Sequence, residues 1–122
     1  MSSSTPHPTD IVLHQRSALL EVCFDDGRRF ELPAEYLRVM SPSAEVRGHG
    51  PGQETLQVGK RDVQVVALEP VGHYGVKPRF SDGHDSGIYT WAYLYQLGLE
   101  HPVLWQRYLD QLAAAGASRD PA

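Results

Sequence analysis

The chain has 122 residues, with 15 Asp and Glu against 11 Lys and Arg and a formal charge of −4, a length that suits one domain built on one hydrophobic core. An acidic balance argues against a nucleic-acid binder, whose affinity rests on neutralising phosphates. The lone cysteine, Cys23, excludes an intramolecular disulfide framework, and no apolar run approaches the length of a membrane span.

The opening Met-Ser-Ser-Ser-Thr-Pro-His-Pro has neither the basic nor the apolar region of a secretory signal, so the expected address is the cytoplasm. Residues 1–9 read as a flexible N-terminus, 10–115 as a single domain and 116–122 as a flexible tail. Ile11 to His14 predicts a short opening strand. Leu19 to Phe24 alternates, with Leu20, Val22 and Phe24 on one face and Glu21 and Cys23 on the other. Asp26-Gly27 suits a tight hairpin turn, and Arg28 to Leu32 is the return strand. Pro33 then opens a short helix over 34–40, and Ser41 with Pro42 reads as the cap of a helical turn through 43–47.

The glycine-rich run 48–52 matches no phosphate-binding motif, and Gly59-Lys60 is followed by Arg61 instead of Ser or Thr, so both read as surface loop. Val63 to Leu68 is apolar on both faces, which predicts a central strand covered on two sides. His73 to Phe80 alternates again, Tyr74, Val76 and Phe80 pointing one way and His73, Lys77 and Arg79 the other. Asp82-Gly83 supplies a second tight turn, and 87–89 leads into a helix over 90–97. A last helix begins near Pro102, with Leu104, Trp105, Tyr108, Leu109 and Leu112 as a stripe that packs on the sheet.

Phe24-Asp-Asp-Gly27 matches Phe80-Ser-Asp-Gly83, and a Tyr-Leu pair follows each, Tyr36-Leu37 and Tyr93-Leu94. The pattern predicts an α+β fold: an antiparallel-rich sheet built from two hairpin-plus-helix units, with helices on one face.

Six histidines invite a metal, but a structural zinc needs four Cys or His ligands in closely spaced pairs, and His7, His14, His49, His73, His84 and His101 share no such spacing. Asp82, His84 and Ser86 crowd the second turn, yet one tight turn does not supply an oriented base together with an oxyanion hole. That leaves a charged strip: Lys77, Arg79, Ser81 and His84 on one exposed strand face, near Asp82 and Asp85. It reads either as a solvated face or as a recognition strip for an anionic partner.

Phe80-Ser-Asp-Gly-His-Asp-Ser-Gly-Ile-Tyr-Thr-Trp91, with Leu37-Arg38 and Ser41-Pro-Ser-Ala-Glu45 upstream, resembles the gamma-butyrobetaine hydroxylase-like N-terminal domain family, over about Ile11 to Leu97. The motif positions are Leu37, Arg38, Ser41, Pro42, Phe80, Asp82, Gly83, His84, Gly87 and Trp91. In hydroxylases of carnitine synthesis the resemblance implies a domain ahead of an iron- and 2-oxoglutarate-dependent catalytic domain, holding zinc through three cysteines and the histidine of the D-G-H turn. Those cysteine positions fall near Ser41, Ser43 and Val46 here, so only His84 survives, and no iron motif of the catalytic half is present. Similar domains also occur fused to P-loop proteins that carry iron–sulfur clusters.

The resemblance thus implies a stand-alone accessory module that is not an enzyme, has no cofactor of its own and docks on a protein partner, with neither nucleic acid nor membrane involved. The patch expected to carry docking is Lys77, Arg79, Ser81, Asp82, His84 and Asp85, with the 41–52 loop. The alternative is metal handling, with His84 joined by ligands from a partner or second subunit and by His49 or Cys23. A third reading, a hydrolase centred on Ser86 and His84, has only the crowded turn behind it.

Overall fold

The alternation of Leu19–Phe24 sets its buried face: Leu20, Val22 and Phe24 are sealed from solvent, while Glu21 and Cys23 stay half-buried. Computed as a structural model, the structure describes residues 6–48, 50 and 52–121. In chain order it comprises β1 (Pro8–His14), β2 (Leu19–Phe24), β3 (Arg29–Pro33), α1 (Ala34–Val39), α2 (Ala44–Arg47), β4 (Val65–Val71), β5 (Gly75–Phe80), β6 (Tyr89–Thr90), α3 (Trp91–Leu99) and α4 (His101–Ala115). The fold is α+β, as the pattern predicts. Its strands, however, divide into two antiparallel sheets, β1-β2-β3 and β4-β5-β6, where one was expected.

Each sheet is a meander that runs straight into a helix, and the hydrogen bonds of the two units correspond. The Phe24 amide donates to Arg28 and Gly27 donates back to Phe24; Phe80 donates to His84 and Gly83 to Phe80. The first amide of α1, Ala34, reaches the Ala18 carbonyl, and that of α3, Trp91, reaches the Tyr74 carbonyl. Tyr36 of α1 donates its hydroxyl to the Leu97 carbonyl, four residues after Tyr93, and Tyr93 of α3 donates to Met40, four residues after Tyr36. The doubled unit read in the sequence is therefore real. Each copy opens on a further strand, β1 or β4, both of which the sequence predicts, and the helices clasp one another about an approximate two-fold relation.

One hydrophobic core draws on both copies, from Leu20, Val22 and Phe24 to Val76, Phe80, Leu94 and Leu97. α4 packs along it: of the stripe foreseen on this helix, half-buried Leu104 and Trp105 lie against this core, while buried Tyr108 and Leu112 and half-buried Leu109 form a second cluster with Val39 of α1. Thr90 caps α3 by accepting the Tyr93 amide.

Several expectations fail, each for a physical reason. β4 is an edge strand, not a central one; a register shift between Val65 and Ala67 turns Val66 to solvent while Val65 stays in the core. Tyr74 points outward, because the chain turns at 72–74 before β5 begins, so the inward set is Val76, Pro78 and Phe80. The cap of α2 is Ser43, whose Oγ accepts the Glu45 amide, which leaves Ser41 for another role. Apart from these corrections, the carbonyls of Ser118 and Arg119, in the C-terminal segment, accept the amides of Gly59 and Arg61. At the N-terminal end, residues 1–5 lie outside the described residues, and β1 starts at Pro8.

Candidate functional site

The two Asp-Gly turns occupy matching places, and their surroundings differ in an instructive way. In the first copy, Phe30 of β3 packs against Gly98 so closely that a Cβ there would lie 2.3 Å from the ring. Phe24, Phe30 and Tyr95 meet edge-to-face, with centroids 5.0 to 5.9 Å apart, an arrangement aromatic quadrupoles favour. In the second copy the place of Phe30 falls to Gly87 and that of Gly98 to Ser41. Now the serine needs the room: a Cβ on Gly87 would lie 2.5 Å from Ser41 Oγ. One end of the molecule is sealed with aromatic rings and the other with polar groups.

Those polar groups form a closed ring. His84 is buried, its side chain 3% exposed. Its Nε2 lies 2.8 Å from Ser41 Oγ and its Nδ1 3.1 Å from Glu45 Oε2. Since an ionised carboxylate only accepts, Nδ1 is the donor to Glu45, and Nε2 shares its hydrogen bond with the Ser41 hydroxyl. Ser86 donates to Glu45 Oε1 at 3.1 Å, Ser43 Oγ lies 2.7 Å from Ser86 Oγ, and the Ser43 amide donates to Ser41 Oγ at 3.2 Å. The ring ties residues 41–45, which follow α1, to residues 84–86, which follow the turn.

Beside it, the Asp82 carboxylate accepts the His84 amide at 3.2 Å, Arg38 Nε at 2.9 Å and Lys60 Nζ at 2.6 Å. Burial pushes this carboxyl up, but Lys60, the His84 amide and Arg38 outweigh it and hold its pKa at about 2. The first copy repeats the geometry with weaker chemistry: Asp26 accepts the Arg28 amide at 3.0 Å and the hydroxyl of Tyr95, which stands where Arg38 stands in the other helix.

The structure thus splits the strip foreseen in the sequence. Arg79, Ser81, Asp82 and Asp85 are exposed and Lys77 is half-buried, its ammonium 3.5 Å from Glu69. His84 leaves the strip for the interior, where its ring nitrogens meet Ser41, which occupies the room left by Gly87, and Glu45. Ala67, Glu69, Lys77, Arg79 and Asp85 line a shallow cleft of about 100 Å³. Of the motif residues, Leu37, Arg38, Ser41, Phe80, His84 and Gly87 are buried, Pro42 and Trp91 are half-buried and Gly83 is exposed at the turn. Sequence reasoning missed Glu45, Ser43 and Lys60 as partners; the first two stand in the Ser-Pro-Ser-Ala-Glu run that carries the resemblance, which was their one available signal.

Ser41, His84 and Glu45 follow the order of a nucleophile, a base and its orienting carboxylate, but Ser41 is fully buried and Gly87 lies against it. A substrate carbonyl has no approach to Oγ, and the arrangement is a structural clasp. Ser86, the nucleophile of the hydrolase reading, serves as a link in the same ring.

Nor do the residues suit the zinc that the resemblance implies in hydroxylases. Ser41 and Ser43 offer neutral hydroxyls where zinc prefers thiolate or imidazole; Val46 is a buried aliphatic side chain, and both nitrogens of His84 already have partners. Among the described residues, no three His, Cys, Asp or Glu side chains come together as a metal group. Cys23 lies on the first sheet, its Sγ 3.8 Å from Glu21 Oε2, and His49 falls outside the described residues.

Among the described residues no helix is long and apolar enough to cross a membrane. Two solution NMR structures resemble the whole chain: one is 49% identical over 98% of this chain and 94% of its own, with a TM-score of 0.85, and the other 48% identical over 99% and 90%, with a TM-score of 0.83. A crystal structure of a protein of unknown function from Acidithiobacillus ferrooxidans ATCC 23270, a member of the DUF971 family, is 40% identical over 75% of this chain and 92% of its own, with a TM-score of 0.64. No curated protein matches. The family model described as gamma-butyrobetaine hydroxylase-like, N-terminal, matches residues 11–95, which include both turns, α1, the first part of α3 and every member of the polar ring. The chain belongs to the gamma-butyrobetaine hydroxylase-like N-terminal domain family.

Proposed function

We propose that the chain is a non-enzymatic accessory domain that docks on another protein through the charged rim of its second turn. One observation carries this reading: the buried Ser41 and His84 are bonded within the polar ring, so they hold two segments together, and Glu45 and Ser86 complete the ring at the surface. What the turn presents outward is charge of both signs, Arg79, Asp82 and Asp85, beside the cleft between Lys77 and Glu69. Mixed charge on a rigid support gives a protein partner register and selectivity, and β4 offers a sheet edge alongside. The net charge of −4 favours a protein over nucleic acid. The family's place as an N-terminal module supports the same role by analogy of fold. Metal handling by His84 would require the ring to break, since both ring nitrogens are engaged.

The test is affinity capture from cell extract by the wild-type chain and by Lys77→Glu/Arg79→Glu, with captured proteins identified by mass spectrometry. The reversed variant should lose the wild-type set while its circular dichroism is unchanged. Capture of the same set by both chains would refute the proposal.

A further inference from the structure

Away from the turn, α1 carries a carboxylate in an unusual position. Glu35 is buried, its side chain 8% exposed, where an unpaired charge is strongly disfavoured. Its partner is 84 positions along the chain: Arg119 Nε lies 2.7 Å from Oε2 and Nη2 lies 2.7 Å from Oε1. The guanidinium carbon stands 5.1 Å from the centre of the Trp105 ring. Tyr36 stacks on His101 at 4.2 Å and meets Trp105 edge-on at 6.2 Å. With Pro33 these groups line a cleft of about 230 Å³. Two in-plane carboxylate oxygens with an aromatic face above them select a guanidinium over an ammonium, because only the planar fork can bond both oxygens and lie against the ring together.

The segment that delivers Arg119 has few other side-chain ties. Gly116, at φ 64°, turns the chain off the end of α4, after which two amides, of Gly59 and Arg61, reach the Ser118 and Arg119 carbonyls. Ala117 packs on the cluster of Val39, Tyr108 and Leu112, its amide reaches the Leu112 carbonyl, and an exposed pair joins Arg61 to Asp120, a pair of the kind that contributes little. The buried pair is the bidentate charged contact of this segment.

We propose that Glu35, Trp105 and Tyr36 form a guanidinium-recognition socket, filled in cis by Arg119 and able to accept the arginine of a separate peptide when that residue is withdrawn. The ligand class is an arginine-bearing chain segment, and the site lies apart from the charged turn, so it stands or falls independently of the docking surface proposed there.

The test uses the full chain with Arg119→Ala, titrated with a synthetic peptide of the sequence of residues 116–122 and with the same peptide carrying lysine in place of arginine. The indole N–H signal of Trp105 in NMR spectra reports occupancy. The arginine peptide should move that signal to its wild-type position, the lysine peptide should bind about tenfold more weakly, a difference of about 1.4 kcal/mol, and Glu35→Gln in the same background should abolish both. Equal binding of the two peptides, no binding to the folded variant, or binding indifferent to Glu35→Gln would overturn the proposal. If Arg119→Ala does not fold, Arg119→Lys, which keeps the charge and loses the fork, serves as the host, and the same three outcomes decide.

Discussion

Asp82 shows how one side chain can join three elements. Its carboxylate takes an amide of its own turn, a guanidinium from α1 and an ammonium from the loop before β4. The cations and the amide outweigh burial, so the folded pKa, about 2, lies below the ordinary value of 3.8. The unfolded chain therefore binds its proton first as the medium is acidified, and linkage gives the sign: Asp82 contributes stability in full above the ordinary value and loses it as pH falls towards 2. Asp82→Asn cannot ionise. It should be less stable than wild type in urea unfolding at neutral pH, and the gap should narrow steadily between about pH 4 and pH 2, a window set by that shift. A gap of constant size would show that the Asp82 cluster does not titrate with folding. The aspartate was legible in the sequence as a turn residue, since an Asp-Gly pair dictates a turn from local chemistry alone. Its cationic partners were not, because Lys60 is 22 and Arg38 is 44 positions away.

At the scale of elements, legibility followed the same divide between local and distant causes. Alternation in β2 and β5, the Asp-Gly turns and the stripe of α4 report forces that act within a few residues, and the sequence showed them. The edge position of β4 escaped, because Val65 and Val66 look alike in a periodicity and differ only through the register shift against β5. The burial of His84 escaped for a similar reason. It depends on Gly87 making room for Ser41, a residue from the other copy of the repeat. This gives the glycine a packing role that can be measured. Gly87→Ala would place a Cβ 2.5 Å from Ser41 Oγ and 3.2 Å from Pro42 Cδ, and overpacking of this kind costs about 1–3 kcal/mol. Part of the cost should disappear in a Ser41→Ala background, where the hydroxyl is gone, so the double-mutant cycle should be non-additive. Strict additivity in denaturant unfolding would mean that the two residues do not meet.

Over the whole molecule, the doubled unit raises the question of whether each copy is stable alone. The core answers against it. Tyr36 and Leu37 from the first copy and Tyr89, Leu94 and Leu97 from the second belong to one buried cluster. The two tyrosine hydroxyls cross between α1 and α3 in opposite directions, so separating the copies would break both bonds. The polar ring adds a third tie, from residues 41–45 to residues 84–86. Burial and hydrogen bonding thus reward the halves only when both are folded, which is the condition for a single cooperative transition. Trp91 and Trp105 both lie in the second half of the chain, so tryptophan fluorescence reports on that half, while far-ultraviolet circular dichroism reports on the β-rich first half as well. The two probes should give coincident unfolding curves in urea. Two separated midpoints would show that the copies fold as independent units and that the crossed tyrosines and the ring join them only loosely.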